Sequence, residues 1–211
     1  MILIGMFDSP FVRRVAISLS LLGMTFEHRN WSVGKDADKI REFHPQGRVP
    51  VLVLDDGEAL TESALIVDWL DRLPGHEHKL LPATDPQRRD ALKITALAVG
   101  ALDKGILLVY ERLFRPVEMH HGPWLQRCRA QSESALAELD RICRERAGRE
   151  WLVGDSISQA DIMLACATTY LRDAVPFDLA KFPALQARVD GYEALATFKQ
   201  FYAPFDAPKT N

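Results

Sequence analysis

The sequence predicts a protein in two parts: a small mixed sheet carrying helices, then an all-helical bundle. Three observations carry this. Over the first eighty residues, short apolar runs of strand length alternate with apolar residues spaced three and four apart, the helical period. Residues 73–86, LPGHEHKLLPATDP, interrupt that alternation with three prolines and a glycine, the composition of a linker. Beyond the linker only the helical period recurs.

Each element has its local reason. ILIGM near the start is a short buried strand. Ser9-Pro10 then opens a helix over 10–23, a hydroxyl at the cap and proline at the first helical position, with Val12, Val15, Ala16, Leu19 and Leu22 on one side. TFEHRNW is a strand and KDADKIREF a short polar helix. VPVLVLDD and EALTE flank Asp56-Gly57, a hairpin signal, and SALIVDWLDRL is a helix stopped by Pro74-Gly75. The order β-α-β-α-β-β-α implies a parallel pair from the first crossover and an antiparallel hairpin at the end.

In the second part, the apolar face of a helix over 87–114 is expected from Leu92, Ala96, Val99, Leu102, Ile106, Val109 and Leu113. Ile94, Ala98 and Leu108 lie off that face and are available to a second subunit. A helix over 124–147 turns Leu125, Cys128, Ser132, Ala135, Leu139 and Ile142 inward. Residues 158–172 are apolar nearly all round, as suits a central helix. A last helix follows Pro183, and the tail APFDAPKTN is expected to be loose. The domains are placed at 1–76 and 87–205.

Bulk properties exclude several classes. Of 211 residues, 47% are hydrophobic and 26% charged, with a net charge of −3 from interleaved signs. That argues against a nucleic-acid footprint or an anionic-membrane anchor. No apolar run is long enough to span a bilayer, and no signal peptide is visible, so a soluble cytoplasmic protein is expected. Cys128, Cys143 and Cys166 are widely spaced with no C-x-x-C and read as small core residues in a reducing compartment. HEH (76–78) and MHH (119–121) match no metal spacing, so no metal is expected.

Two motifs stand out. In HPQGRVPVLVLDDGEALTESALIVDWL, Val49-Pro50 directly precedes a strand. Trans is the default for such a bond; a cis bond would turn the Val49 N–H and C=O outward to pair with an extended peptide. Thr61-Glu62-Ser63 ends a strand and starts a helix. The helix-start N–H groups and the Ser63 hydroxyl make a small anion site, beside which Glu62 could take an ammonium. An ordinary capped helix is the alternative. In SISQAD, Ser158 and Asp161 have capping-box spacing and read as purely structural. No G-x-G-x-x-G, Walker loop or G-x-S-x-G is present, so Ser9 has no acyl-transfer machinery around it.

Together, SPFVRRV after the first strand, HPQGRVPVL, TES and SISQAD resemble the glutathione transferase family along the whole chain. The resemblance implies a thioredoxin-like N-terminal domain of order βαβαββα followed by an all-α bundle, with Pro50 cis. His44 stands where the family often has Asn, a change expected to be harmless. It also implies roles. Ser9 faces the glutathione sulfur, Val49 pairs with the cysteinyl backbone, Glu62 and Ser63 hold the γ-glutamyl end, and Arg48 takes the glycine carboxylate. Asp103 is a candidate contributor across a dimer. Because Ser and not Cys stands at position 9, mixed-disulfide chemistry there is excluded.

The expected function is a glutathione transferase that activates the thiol for attack on a small hydrophobic electrophile, working as a homodimer. The electrophile pocket is expected between the domains, at Phe7, Phe11, Tyr110 and Phe114. A non-catalytic binding module of the same fold and a specialised glutathione-dependent isomerase or dehalogenase remain the alternatives.

Overall fold

The computed structural model describes residues 1–75, 79–175 and 177–207. The HEH triplet at 76–78 lies outside the described residues. The chain divides into two compact units, Met1–Leu81 with Leu195–Pro204, and Pro82–Ala194 with the residues from Phe205 onward.

In the first unit β1 (Ile2–Ile4), α1 (Pro10–Leu21), β2 (Glu27–Arg29), α2 (Ala37–Arg41), β3 (Val51–Val53), β4 (Ala59–Thr61) and α3 (Ser63–Arg72) follow in order. The sheet runs β2-β1-β3-β4, with β1 parallel to β2 and antiparallel to β3, and β3 antiparallel to β4. Alternation along the strands sorts the core. Ile4, Val51 and Val53 face Ile40 of α2, with Trp31 and Phe43 closing that side. Leu3 and Leu52, paired across β1 and β3, point the other way, to the face left for α1 and α3.

Register also gathers three chain ends. Ile4 pairs with Val51, and Val51 pairs with Thr61. The exit of β1, the entry of β3 and the exit of β4 therefore meet at one end of the sheet. Those are the points that lead into Ser9, out of Val49-Pro50 and into Glu62-Ser63.

Part of the expected linker is docked. Leu80 and Leu81 are buried, and the buried Asp71 carboxylate accepts their N–H groups at 2.6 and 3.4 Å. Leu195–Pro204, read from sequence as part of the helical half, returns to the first unit with α8 (Ala196–Gln200). Phe198 is fully buried there, its carbonyl accepts from the buried Arg13 at 2.9 Å, and Arg13 lies over the Tyr202 ring.

The second unit holds α4 (Gln87–Phe114), α5 (Gly122–Glu145), α6 (Gln159–Ala174) and α7 (Pro183–Glu193). As expected, α6 is buried almost throughout. The face of α4 is corrected in part: Leu102 and Val109 are buried as expected, but the stripe is rotated from the rest of the expected one. Leu92 is 47% exposed, and the buried stripe runs through Ala91, Ile94, Thr95, Ala98, Ala101, Leu102, Gly105 and Val109. Small residues decide this, because they let neighbouring helices come close. A Cβ on Gly105 would lie 2.1 Å from Leu171 Cδ2 of α6, and Ser132 of α5 donates to the Ala101 carbonyl at 2.8 Å. Ile94 and Ala98, expected to be available to a second subunit, are 1% and 0% exposed and belong to this chain's own core. In the tail, Phe205 packs edge-on against Tyr170 while residues 203–207 form no helix or strand; residues 208–211 lie outside the described residues. Among the described residues, no helix is long and apolar enough to cross a membrane.

Candidate functional site

Ser9 caps α1 in an extended conformation, its hydroxyl accepting the Val12 N–H at 3.5 Å. That is a long, weak cap. The half-buried hydroxyl keeps its proton to donate and stands at the positive end of the helix.

Gly5 positions this corner. It leaves β1 with φ +130°, and a Cβ there would lie 2.5 Å from Val12 Cγ2 and 2.9 Å from Val49 Cβ. Its own carbonyl is bonded to His28 Nε2 at 2.8 Å. Only a residue without a side chain lets α1 and Val49 approach the strand so closely. The Val49-Pro50 bond is cis, as the resemblance implied; Asp85-Pro86 is a second cis bond that the sequence did not suggest.

Glu62 links β4 to α3 with φ +66°, the one described non-glycine residue with positive φ. Its carboxylate pairs with Arg48 at 2.8 Å, the two side chains 47% and 57% exposed. The groups expected at opposite ends of a ligand thus neutralise each other here. Ser63 is the first residue of α3 and is buried. Its hydroxyl oxygen accepts from the buried Arg14 at 3.5 Å. A guanidinium only donates, so the Ser63 proton is directed elsewhere. Arg14 was missed in the sequence, where it is one of two adjacent arginines on a helix.

Phe7 stacks on His28 at 3.9 Å and meets Phe201 edge-on, within the first unit. Phe11 is half-buried. In the second unit Tyr110 and Phe114 form an edge-on pair on α4, 51% and 62% exposed, and Asp103 is exposed on the same helix.

The groups read as structural are so. Asp161 accepts from Ser158 N–H and hydroxyl at 2.9 and 2.8 Å, from Leu152 N–H at 2.8 Å and from the Tyr192 hydroxyl, completing a capping box at the start of α6. Burial and the Asp161 charge push the Tyr192 phenol well up. All three cysteines are buried, and burial pushes the Cys143 thiol up to about 12, away from reactivity. His44 is buried, with Nδ1 accepting from Gln46 N–H at 3.3 Å. Among the described residues no group of three or more His, Cys, Asp or Glu is set to hold a metal.

Comparison with known proteins identifies the family. The model of the glutathione S-transferase N-terminal domain matches residues 3–78, and that of the C-terminal domain matches 122–197. The uncharacterized GST-like protein YibF of Escherichia coli (strain K12) is 33% identical over 169 residues, 80% of this chain and 81% of its own. The chain belongs to the glutathione S-transferase family. A solved glutathione S-transferase from Methylobacterium radiotolerans, in complex with glutathione sulfonate, is 31% identical, with a TM-score of 0.87 over 100% of this chain and 99% of its own. One from Methylobacillus flagellatus with glutathione bound is 27% identical, with a TM-score of 0.86 over 97% and 99%. The four-stranded first unit is the thioredoxin-like half of this transferase fold, and the helical unit is its all-α half.

Proposed function

We propose that the protein binds glutathione at the end of the sheet where Ser9, Val49-Pro50 and Glu62-Ser63 meet, and activates its thiol for attack on a hydrophobic electrophile. The observation that carries this is the register that brings those three chain ends together. Val49 pairs with the cysteinyl backbone. Ser63 and the N–H groups that open α3 take the γ-glutamyl carboxylate, and Glu62 takes its ammonium. Arg48 releases Glu62 and takes the glycine carboxylate. The relatives solved with glutathione or its sulfonate support the choice of ligand.

The energetics close. A free thiol has a pKa of about 8.5, and lowering it by about two units takes roughly 2.7 kcal/mol. One hydrogen bond to a charged group contributes about 1.5–3 kcal/mol, and the end of α1 adds to it. Ser9 is then a donor to a thiolate, neither nucleophile nor base. Ser9→Ala should leave glutathione affinity nearly intact and raise the pKa of the bound thiol, read by ultraviolet titration of the thiolate. A variant that titrates like the wild type reduces Ser9 to a cap.

Tyr110 and Phe114, exposed and apolar, select the electrophile in this reading, so Tyr110→Ala should change the pattern of turnover over aryl halides, epoxides, enones and hydroperoxides. No turnover with any of these would make the protein a binding module instead. The active species is a cytoplasmic symmetric homodimer: twofold pairing is the commonest assembly, and three buried free thiols suit a reducing compartment. Sedimentation at micromolar concentration should give twice the chain mass; a monomer mass would refute the dimer.

A further inference from the structure

His28 pairs with Leu3 in the parallel β1–β2 register, and partners in register share a face of the sheet. Its side chain therefore stands on the α1 side, where it meets the connection from β1 to α1 at two points. Its Nε2 lies 2.8 Å from the carbonyl oxygen of the buried Gly5. A carbonyl only accepts, so Nε2 carries the proton and donates. Its ring stacks on Phe7, with centroids 3.9 Å apart and planes within 8°. The Gly5 N–H donates in turn to the Arg29 carbonyl at 3.0 Å, so β2 holds both polar groups of Gly5.

Beyond Gly5 the chain makes a turn closed by Ser9, whose N–H donates to the Met6 carbonyl at 3.1 Å. Met6, Phe7, Asp8 and Ser9 are all half-buried. Core packing restrains this turn less than the strand before it or the helix after it. Phe201 meets the Phe7 ring edge-on at 5.3 Å and fills space there, whereas His28 holds Gly5 and Phe7 with one side chain. The aim of the turn matters because a hydroxyl is an effective donor only when directed at its acceptor, and hydrogen bonds weaken steeply off axis.

We propose that His28 is a positioning residue: through Gly5 and Phe7 it fixes the turn that presents the Ser9 hydroxyl to the glutathione sulfur. The proposal rests on the reading in which Ser9 donates to the thiolate.

Amide exchange on the free chain tests the turn without a ligand. In His28→Ala the Ser9 N–H should exchange about tenfold faster, with the amides of β3 unchanged. Ultraviolet titration of the glutathione complex tests the chemistry. The bound thiolate fraction at neutral pH should fall about tenfold in His28→Ala, with glutathione affinity nearly unchanged. In a Ser9→Ala background the same substitution should lower it no further, because its effect passes through that hydroxyl. His28→Gln keeps an N–H within reach of Gly5, and His28→Phe keeps a ring to stack on Phe7; each should recover part of both losses. The role is overturned by wild-type exchange at Ser9 in His28→Ala, or by an undiminished effect in the Ser9→Ala background. Gln and Phe variants as impaired as His28→Ala would also overturn it, marking a general cost of repacking. Absence of a thiolate band in the wild type would overturn the glutathione reading and this role with it. A wild-type band that His28→Ala leaves unaltered would overturn the role alone.

Discussion

Gly5 shows how one residue sets the geometry of the site. A methyl group there meets Val12 and the backbone-proximal Cβ of Val49, and the positive φ is itself unfavourable for any side chain. Gly5→Ala should therefore cost ~2–4 kcal/mol, from overpacking and backbone strain together. Denaturant unfolding reads this directly; a midpoint equal to wild type would show that α1 and Val49 can move apart freely. That Ser9, Val49-Pro50, Glu62 and Ser63 stand at the junctions of strands and helices was legible in the sequence, because each sits at local punctuation, a proline or a polar triplet before a helical run. Gly5, Arg13 and Arg14 were not. Their partners are fixed by the tertiary fold: Ser63 lies 49 residues from Arg14, and Phe198 lies 185 residues from Arg13. No local pattern encodes such a contact.

Among the elements, α6 depends most on one side chain. Asp161 is fully buried and satisfies the Leu152 and Ser158 N–H groups, the Ser158 hydroxyl and the Tyr192 hydroxyl. Asp161→Ala strands those donors in the core and should cost ~3–5 kcal/mol, whereas Asp161→Asn keeps an acceptor and should cost less. Equal unfolding midpoints for the two variants would refute the account. The existence of this cap was legible because Ser158 and Asp161 are three residues apart. The bounds of α4 were legible for the same kind of reason, since periodicity and punctuation are local. Its face was legible only at Leu102 and Val109, because periodicity alone does not say which of two neighbouring stripes packs inward. Packing against α5 and α6 instead selects Ala91, Ala98, Ala101 and Gly105, where backbones can approach.

For the molecule as a whole, the buried acids define an alkaline limit. The Cys143 thiol is pushed up to about 12 from an ordinary 9.0, and the Tyr192 phenol is pushed up from 10.0. Both are acids with raised values in the fold. The unfolded chain loses these protons first, so the stability they contribute is complete below about pH 9 and falls as pH rises beyond it. The thiol alone accounts for about 1.4 kcal/mol per pH unit, hence roughly 2 kcal/mol at pH 10.5. Unfolding free energies measured between pH 8 and 10.5 should fall less steeply in Cys143→Ala than in wild type; parallel slopes would exclude the thiol as a cause. The two-part plan was legible at this scale from the linker composition, but the return of Leu195–Pro204 to the first unit was not, because nothing local to that segment distinguishes it from another bundle helix. That return has a consequence for synthesis. The unit begun first stays incomplete almost to the end of the chain: α1 has no Phe198 to cover it until the ribosome has added more than a hundred further residues, on the order of ten seconds of translation. During that interval the first unit is an incomplete fold with an exposed apolar helix face, and the nascent chain, more than the finished protein, is the state that chaperones would meet.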